Sequence, residues 1–323
     1  MRRTVNQPGL LSILIVTYDA ERVLPGCLDS LMAEPPSCEH EVVCVDNGST
    51  DGTCALVRER YPWVCLVESD RNLGFAGGNL LAAEHARGDV LLLLNPDTIV
   101  LSGALDALTG ALLADDARAI AGACLLGADG APVTSWGDFP TVGWAIANTA
   151  PWGGAGMRVR SRVRMDGSCA ELTGVTPVDW VSGAALAIRR ETWNGFGGMD
   201  AGYFLYYEET DLCFRVRAAD KDVVVVPDAR IVHLEGASVG TQTVRQYVWS
   251  TRSLIRFLRR NRGSLAGAVV KHWVGDVNML LWLVAAIAGP FSPRLRERRE
   301  RYAALMRVGL GMRTAYDPPE VRP

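Results

Sequence analysis

Three short apolar runs, each stopped by polar and acidic residues, constrain this chain more than anything else in it. Leu11 to Thr17 leads into Thr17-Tyr18-Asp19. Glu41 to Val45 leads into Asp46-Asn47-Gly48-Ser49-Thr50-Asp51-Gly52-Thr53, and Val90 to Leu94 into Asn95-Pro96-Asp97. Unbroken runs of β-branched and leucine residues are expected of strands covered by helices on both faces. Between the first two runs, Val23, Leu24, Cys27, Leu28, Leu31 and Met32 recur at helical spacing. A βαβ unit follows, and the chain reads as α/β: a Rossmann-like, mixed and mostly parallel central sheet flanked by helices. In such sheets ligands bind in the crevice outside the carboxyl ends of the strands, which is where the polar residues fall.

Each stop has a plain reading and a chemical one. Asp46 and Asn47 close the second strand, and the glycines that follow allow a sharp turn before Thr53 starts a helix. An Asx-turn with a helix cap accounts for that, while a carboxylate there can also accept from a pyrimidine N–H or a ribose hydroxyl. Arg71-Asn72-Leu73-Gly74-Phe75-Ala76-Gly77-Gly78-Asn79 precedes a helix pattern running to His85. Glycines at a helix start allow close backbone approach, and the amides there favour phosphate; a tight turn explains them equally well. The spacing is not the dinucleotide fingerprint G-x-G-x-x-G. In Asn95-Pro96-Asp97, residues two apart on extended backbone share a side, so Asn95 and Asp97 can both face a divalent cation and its diphosphate. Mg²⁺ uses one or two carboxylates in that way, and a simple strand-ending turn is the alternative.

With these stretches in one order, the chain resembles the GT-A inverting glycosyltransferases of glycosyltransferase family two, nearest to the branch of bacterial rhamnosyltransferases. The resemblance spans about residues 10 to 240. It implies a nucleoside-diphosphate-sugar site built from Thr17, Tyr18, Asp46, Asn47, Gly74, Gly77, Asn79, Asn95 and Asp97. The nucleotide half is expected at about 10–100 and the acceptor half at about 101–245, together forming one catalytic domain.

The acceptor half carries Val178 to Arg190, read as a strand that leads into a helix and includes Trp180 and Gly183 as acceptor-side or site-organising positions. Tyr203 to Tyr207 is followed by Glu208-Glu209-Thr210-Asp211, where three acids crowd a helix start. The helix macrodipole lowers the cost of that crowding, so capping is one role for them, and Asp211 can pair with Arg215 four residues on. The family stretch reads Glu-Asp-x-Asp-Leu, and its second acid corresponds to the catalytic base. Here that position is Glu209, a longer carboxylate than the usual Asp, with Glu208 and Asp211 organising the site around it. His233 follows the apolar run Val223 to Val226 and its extension. A histidine after a strand is commonly structural, but the resemblance implies a second protein ligand beside Asp97 for Mg²⁺ or Mn²⁺, the two residues ending adjacent strands.

The net charge of −3 gives no global case for nucleic acid. The eight cysteines include no CxxC pair and lie mainly in apolar contexts, as expected of reduced core residues in a cytosolic protein. Met1 to Gly9 lacks the apolar core of a signal peptide. Pro151 to Gly156 and the basic stretch Arg158 to Arg164 read as a loop insertion that either closes over substrate or is plain surface.

Beyond residue 245 the pattern changes to a C-terminal helical appendage, 246–323. Tyr247 to Arg262 is a helix pattern with five arginines, Met279 to Phe291 is strongly apolar, and Arg294, Arg296, Arg298, Arg299 and Arg301 follow. The apolar run is shorter than the ~20 residues that span a bilayer. Either the helices lie at a membrane interface with Trp273, Trp282 and the arginines, a peripheral contact on the cytoplasmic face, or they pack on the catalytic domain or on a second subunit in a homodimer.

The expected partners are thus a nucleoside-diphosphate sugar, with dTDP-L-rhamnose favoured, and a polyprenyl-linked or other glycan acceptor. A UDP-sugar donor, a processive synthase and a non-catalytic sugar-nucleotide-binding protein are the rivals. Synthases related to this family carry Gln-x-x-Arg-Trp, whereas Gln246 follows Gln242-Thr243-Val244-Arg245 here.

Overall fold

The computed structural model describes residues 9–149, 166–234, 243–288 and 292–318. The proposed insertion at Pro151 to Gly156 and Arg158 to Arg164 lies outside the described residues, as do Gln242, the segment 235–238 and the side chains of Arg294 and Arg296.

The chain starts with β1 (Leu11–Thr17), α1 (Leu24–Ala33), β2 (His40–Asp46), α2 (Thr53–Arg60), β3 (Cys65–Glu68), α3 (Gly74–His85) and β4 (Val90–Leu94). A short β5 (Thr98–Val100), α4 (Ala104–Leu113), β6 (Arg118–Leu126), β7 (Trp136–Gly137) and α5 (Val142–Thr149) follow. Then come β8 (Thr176–Pro177), β9 (Trp180–Val181), β10 (Ala185–Arg189), α6 (Arg190–Gly195), α7 (Glu208–Arg217) and β11 (Asp222–His233). Three helices close the sequence: α8 (Val244–Asn261), α9 (Ser264–Ala288) and α10 (Pro293–Gly309).

These elements form two compact units. The first, Met1–Phe139 with Met165–Gly202 and Glu208–Ser238, holds the sheet. Its order is β3-β2-β1-β4-β10-β6-β11-β5, with β8 paired on β11. Strands β3, β2, β1 and β4 are mutually parallel, and β6 is parallel to β11. Strand β10 runs antiparallel between β4 and β6, and β5 antiparallel on β11. The fold is therefore the mixed, mostly parallel sheet expected of GT-A. All seven residues of β1 are buried, for a reason visible in the packing. Leu11, Ile13 and Ile15 join a core with Leu24 and Leu28 of α1 and Leu105, Leu108 and Leu112 of α4. Val16 points the other way, where a Cβ on Gly78 of α3 would come within 2.5 Å of it.

The segment from Val178 to Arg190 is two strands rather than one, because the chain turns at Ser182 to Ala184 between β9 and β10. The cysteines are free, and five are buried, but Cys65 on β3 at the sheet edge is exposed.

The second unit, Pro140–Arg164, Tyr203–Tyr207 and Val239–Pro323, is helical. Thr243 opens α8 with a capping box closed by Gln246. Helix α9 runs 25 residues, well past the apolar run read from the sequence. Lys271, His272 and Asp276 lie ahead of that run along the chain without breaking the helix. By length and apolarity alone α9 meets the requirement for a bilayer crossing, at about 1.5 Å of rise per residue.

Candidate active site

Strand β1 lies between β2 and β4, with Thr17 opposite Asp46 and Ile15 opposite Leu94. That register sets Thr17, Asp46, Asn47 and Asn95 along one edge of three neighbouring parallel strands. Four polar atoms on this edge, Thr17 Oγ1, Asp46 Oδ1, Asn47 Oδ1 and Asn95 Oδ1, are buried with no hydrogen-bond partner among the described residues. Each such atom costs about 1–3 kcal/mol. Folded proteins leave few of them, so four along one edge are hydrogen-bonding capacity that water or a polar ligand can take up.

Asp46 serves the turn and leaves an open oxygen at the same time. Its Oδ2 accepts from the backbone N–H of Gly48 (3.1 Å) and Ser49 (2.9 Å), while Oδ1 stays open. The Gly48 φ of +76° is one that other residues rarely adopt. Burial first, then a hydrogen bond to the Asp46 carboxylate and the negative charges of Asp46 and Glu68, push the neighbouring Cys54 thiol up to about 12, so that group stays protonated beside the carboxylate.

The loop after β1 is laced to the loop after β2. Asp19, at φ +48°, donates its N–H to Ser49 Oγ (2.8 Å) and accepts from the Thr50 N–H (2.7 Å). Ala20 N–H donates to Thr53 Oγ1 (3.0 Å) and Glu21 N–H to Asp51 Oδ2 (3.1 Å). Tyr18 stands on this braced ledge with 49% of its surface exposed. Sequence spacing did not reveal Asp19, because its partners lie about thirty residues away.

Helix α3 reaches the same edge. Asn47 Nδ2 donates to the Gly74 carbonyl (3.0 Å), and a Cβ on Gly78 would sit 3.1 Å from that amide nitrogen. The Gly74 amide is taken by Asn72 Oδ1 (2.9 Å), Gly77 lies against Leu73, and Asn79 Nδ2 donates to the Phe75 carbonyl within the helix (2.9 Å). Gly78 thus serves the close approach of helix to sheet.

Asp97 and His233 come together by a route the sequence did not show. Strands β4 and β11 are not neighbours, since β10 and β6 separate them. The chain instead turns after Asn95, and β5 pairs antiparallel on β11 with Thr98 opposite His233. Leu234 N–H donates to the Asp97 carbonyl (2.9 Å). His233 Nε2 ends 3.2 Å from Asp97 Oδ1 and 3.3 Å from Asn95 Nδ2. Thr98 Oγ1 donates to the Asn95 carbonyl (2.7 Å), and Cys27 Sγ of α1 reaches the same carbonyl at 3.6 Å, clamping the turn from below.

The three acids of α7 separate into different environments. Asp211 is fully buried and pairs with Arg215 Nε at 2.8 Å; the rest of that guanidinium donates to the Phe196 and Gly198 carbonyls (2.7 and 2.8 Å). Asp211 is thereby part of the scaffold. Glu208 is buried, whereas Glu209 keeps part of its surface accessible. Burial pushes the Glu209 carboxyl up to about 7, against smaller opposing effects from backbone hydrogen bonds and Thr210. Gly183 faces Glu209: a Cβ there would lie 3.1 Å from the Phe75 ring of α3 and 3.5 Å from Glu209 Cβ. Phe75, Gly183 and Glu209 therefore share one wall, and nothing in their spacing announces it. Trp180 is buried in β9 and donates its Nε1–H to the Asp138 carbonyl (3.0 Å). Tyr206 and Tyr207, just ahead of Glu208, hold φ of +70° and +67°, a strained conformation of the kind that gathers at functional sites.

The family model of Glycosyl transferase family 2 matches residues 12–164. An N-acetylglucosaminyl-diphospho-decaprenol L-rhamnosyltransferase of Mycobacterium tuberculosis is 30% identical over 268 residues, which cover 77% of this chain and 84% of that protein. The rhamnosyltransferase WbbL of Escherichia coli is 23% identical over 263 residues, 78% of this chain and 94% of its own. Among solved structures, the mannosyltransferase PcManGT of Pyrobaculum calidifontis, in complex with GDP-Man and Mn²⁺, superposes with a TM-score of 0.52. Its sequence is 17% identical, and the match covers 94% of this chain and 86% of that one. This chain belongs to glycosyl transferase family 2 and is a glycosyltransferase similar to the rhamnosyltransferases.

Proposed function

We propose that this glycosyltransferase moves a single sugar, with inversion at the anomeric carbon, from a nucleoside diphosphate to a hydroxyl of a lipid-linked or other glycan acceptor. The row of buried, unsatisfied oxygens on Thr17, Asp46, Asn47 and Asn95 beside the Asp97–His233 pair carries this reading. Asp46 Oδ1 accepts from the nucleobase or ribose, and Asn95 turns its free oxygen toward the same ligand. For the donor we propose dTDP-L-rhamnose, supported by the similarity to proteins named as rhamnosyltransferases.

A carboxylate oxygen and an imidazole nitrogen suit Mg²⁺ or Mn²⁺. Among the described residues no group of three or more His, Cys, Asp and Glu converges, so Asp97 and His233 would be the two protein ligands, leaving positions for diphosphate and water. When bound, the ion would neutralise charge on the departing diphosphate. For His233 to serve, Nε2 must direct its one lone pair at the ion, so the contact with the Asn95 Nδ2 amide 3.3 Å away would give way on metal binding.

Glu209 takes the proton of the acceptor hydroxyl as that oxygen attacks the anomeric carbon. A carboxylate raised to about 7 is a stronger base than an ordinary one and is still ionised in useful amount near neutral pH. Inversion in a single displacement needs no second carboxylate as nucleophile.

The test is a panel of dTDP-, UDP- and GDP-sugars with Mg²⁺ or Mn²⁺, reading release of nucleoside diphosphate with and without a glycan acceptor. Release from dTDP-rhamnose that stops on chelation is expected. Full turnover after chelation would remove the metal role, and absence of release from every donor would favour a binding protein that keeps the fold.

A further inference from the structure

The helical unit exposes apolar surface where a water-facing helix ordinarily carries charge. On α9, Met279, Leu280, Leu283, Val284 and Ile287 form one stripe at helical spacing, with Leu280 62% and Ile287 76% exposed. Only 28% of the most apolar stretch of this helix is buried. The opposite face, through Gly267, Val270, Val274, Gly275, Asn278 and Ala285, is buried. Gly267 lies against Arg259 of α8, and Gly275 against Gly309 of α10.

One arginine flanks the stripe and another stands well before it along α9. Arg259, which packs on Gly267 near the start of α9, is exposed, and Arg299 of α10 lies 5.7 Å over the ring of Trp282 on the flank of the stripe. Trp273 is less exposed, with its indole nitrogen buried. Residues 239–323 hold fifteen Lys and Arg against five Asp and Glu, in a chain whose net charge is −3. We propose that the exposed stripe of α9 docks in the plane of an anionic lipid bilayer, with Trp282 and the flanking Arg299 at the headgroup level.

The charge selects this occupant. Two copies joined through this face would bring two strongly basic segments together, whereas anionic lipid complements them. Docking in the plane leaves the packing of α8 and α10 on α9 intact and needs only the stripe, which starts after Lys271, His272 and Asp276; a crossing by the whole helix would bury those charges in lipid. The proposal stands apart from the donor and base assignments made above.

The experiment is flotation of the full chain with vesicles of phosphatidylcholine, with and without phosphatidylglycerol, at low and high salt. The parent should float with the anionic vesicles, and salt should weaken it by screening. Leu280→Asp with Leu283→Asp alters exposed positions only and should cut the bound fraction by at least about tenfold, the order of effect for lost leucine burial. Donor turnover in solution should be unchanged. A parent that stays at the bottom at low salt, or a double variant that floats like the parent, overturns the proposal. So does sedimentation showing a parent dimer that the double variant splits while neither binds vesicles, which would assign the face to a second copy.

Discussion

The two units depart from the usual partition of polar and apolar groups in opposite directions. The sheet unit hides polar atoms that lack partners at the ends of β1, β2 and β4, and the helical unit leaves apolar side chains of α9 in the open. Each departure costs stability in the isolated molecule, one through lost hydrogen bonds and the other through hydrated hydrocarbon. Such costs persist where a partner offsets them, which is the part proposed above for a small polar ligand at the first and a broad apolar surface at the second. The same contrast recurs within α7. Asp211 is buried with its bonding complete, and Glu209 is enclosed enough to hold its proton yet reachable from outside.

The sharpest test of that contrast is Glu209→Gln, which keeps size and removes basicity. Transfer should fall by about 10²–10⁴-fold with donor affinity nearly intact, and Glu209→Asp should keep part of the rate. In the parent, the rate should climb as pH rises through about 7 and then level off, since the carboxylate is the active form. Stability carries the opposite sign. A carboxyl raised in the folded state binds its proton more tightly than the unfolded chain does, so its contribution is full below the ordinary carboxylate range and is lost as pH rises to about 7. Glu209→Gln should therefore be more stable than the parent above pH 7, by on the order of 3 kcal/mol. A variant that transfers at the parental rate while Glu208→Gln does not would move the base to Glu208.

Asp97→Ala should lower transfer by on the order of 10³-fold, the scale of lost metal-assisted charge stabilisation. Its side chain is partly exposed, so circular dichroism should show the fold intact. Normal turnover would leave Asp97 with only its place in the turn.

Asp211→Ala should act through stability first. Removing one partner of a buried ion pair costs about 3–5 kcal/mol, and Arg215 would be left anchored only to the Phe196 and Gly198 carbonyls. Chemical denaturation should show this loss. A variant of parental stability and no activity would place Asp211 in the chemistry and blur its contrast with Glu209.

The smallest effect belongs to Asp46. Asp46→Asn keeps an acceptor for the turn and changes the open oxygen, so the donor dissociation constant should rise roughly tenfold, about 1.4 kcal/mol, with little change in rate at saturation. Calorimetry giving equal affinity in variant and parent would take Asp46 out of the donor site.

Residue order alone was enough to establish the buried strands, the helices between them and the polar stops, because hydrophobic periodicity and turn chemistry are local. Thr17, Asp46, Asn47, Asn95 and Asp97 were legible for that reason, and so was the Asp211–Arg215 pair at one helical turn. What brought distant residues together was not local. Strand β5 carries Asp97 to His233 past two intervening strands, Gly183 opens the space between Phe75 and Glu209, and Asp19 bonds to a loop thirty residues on. The length of α9 was hidden as well, since the charged residues ahead of its apolar run do not stop a helix. Which oxygens of Asp46 and Asn95 remain open, and which carboxyl of α7 is raised, follows from burial and partners, and only the tertiary packing supplies those.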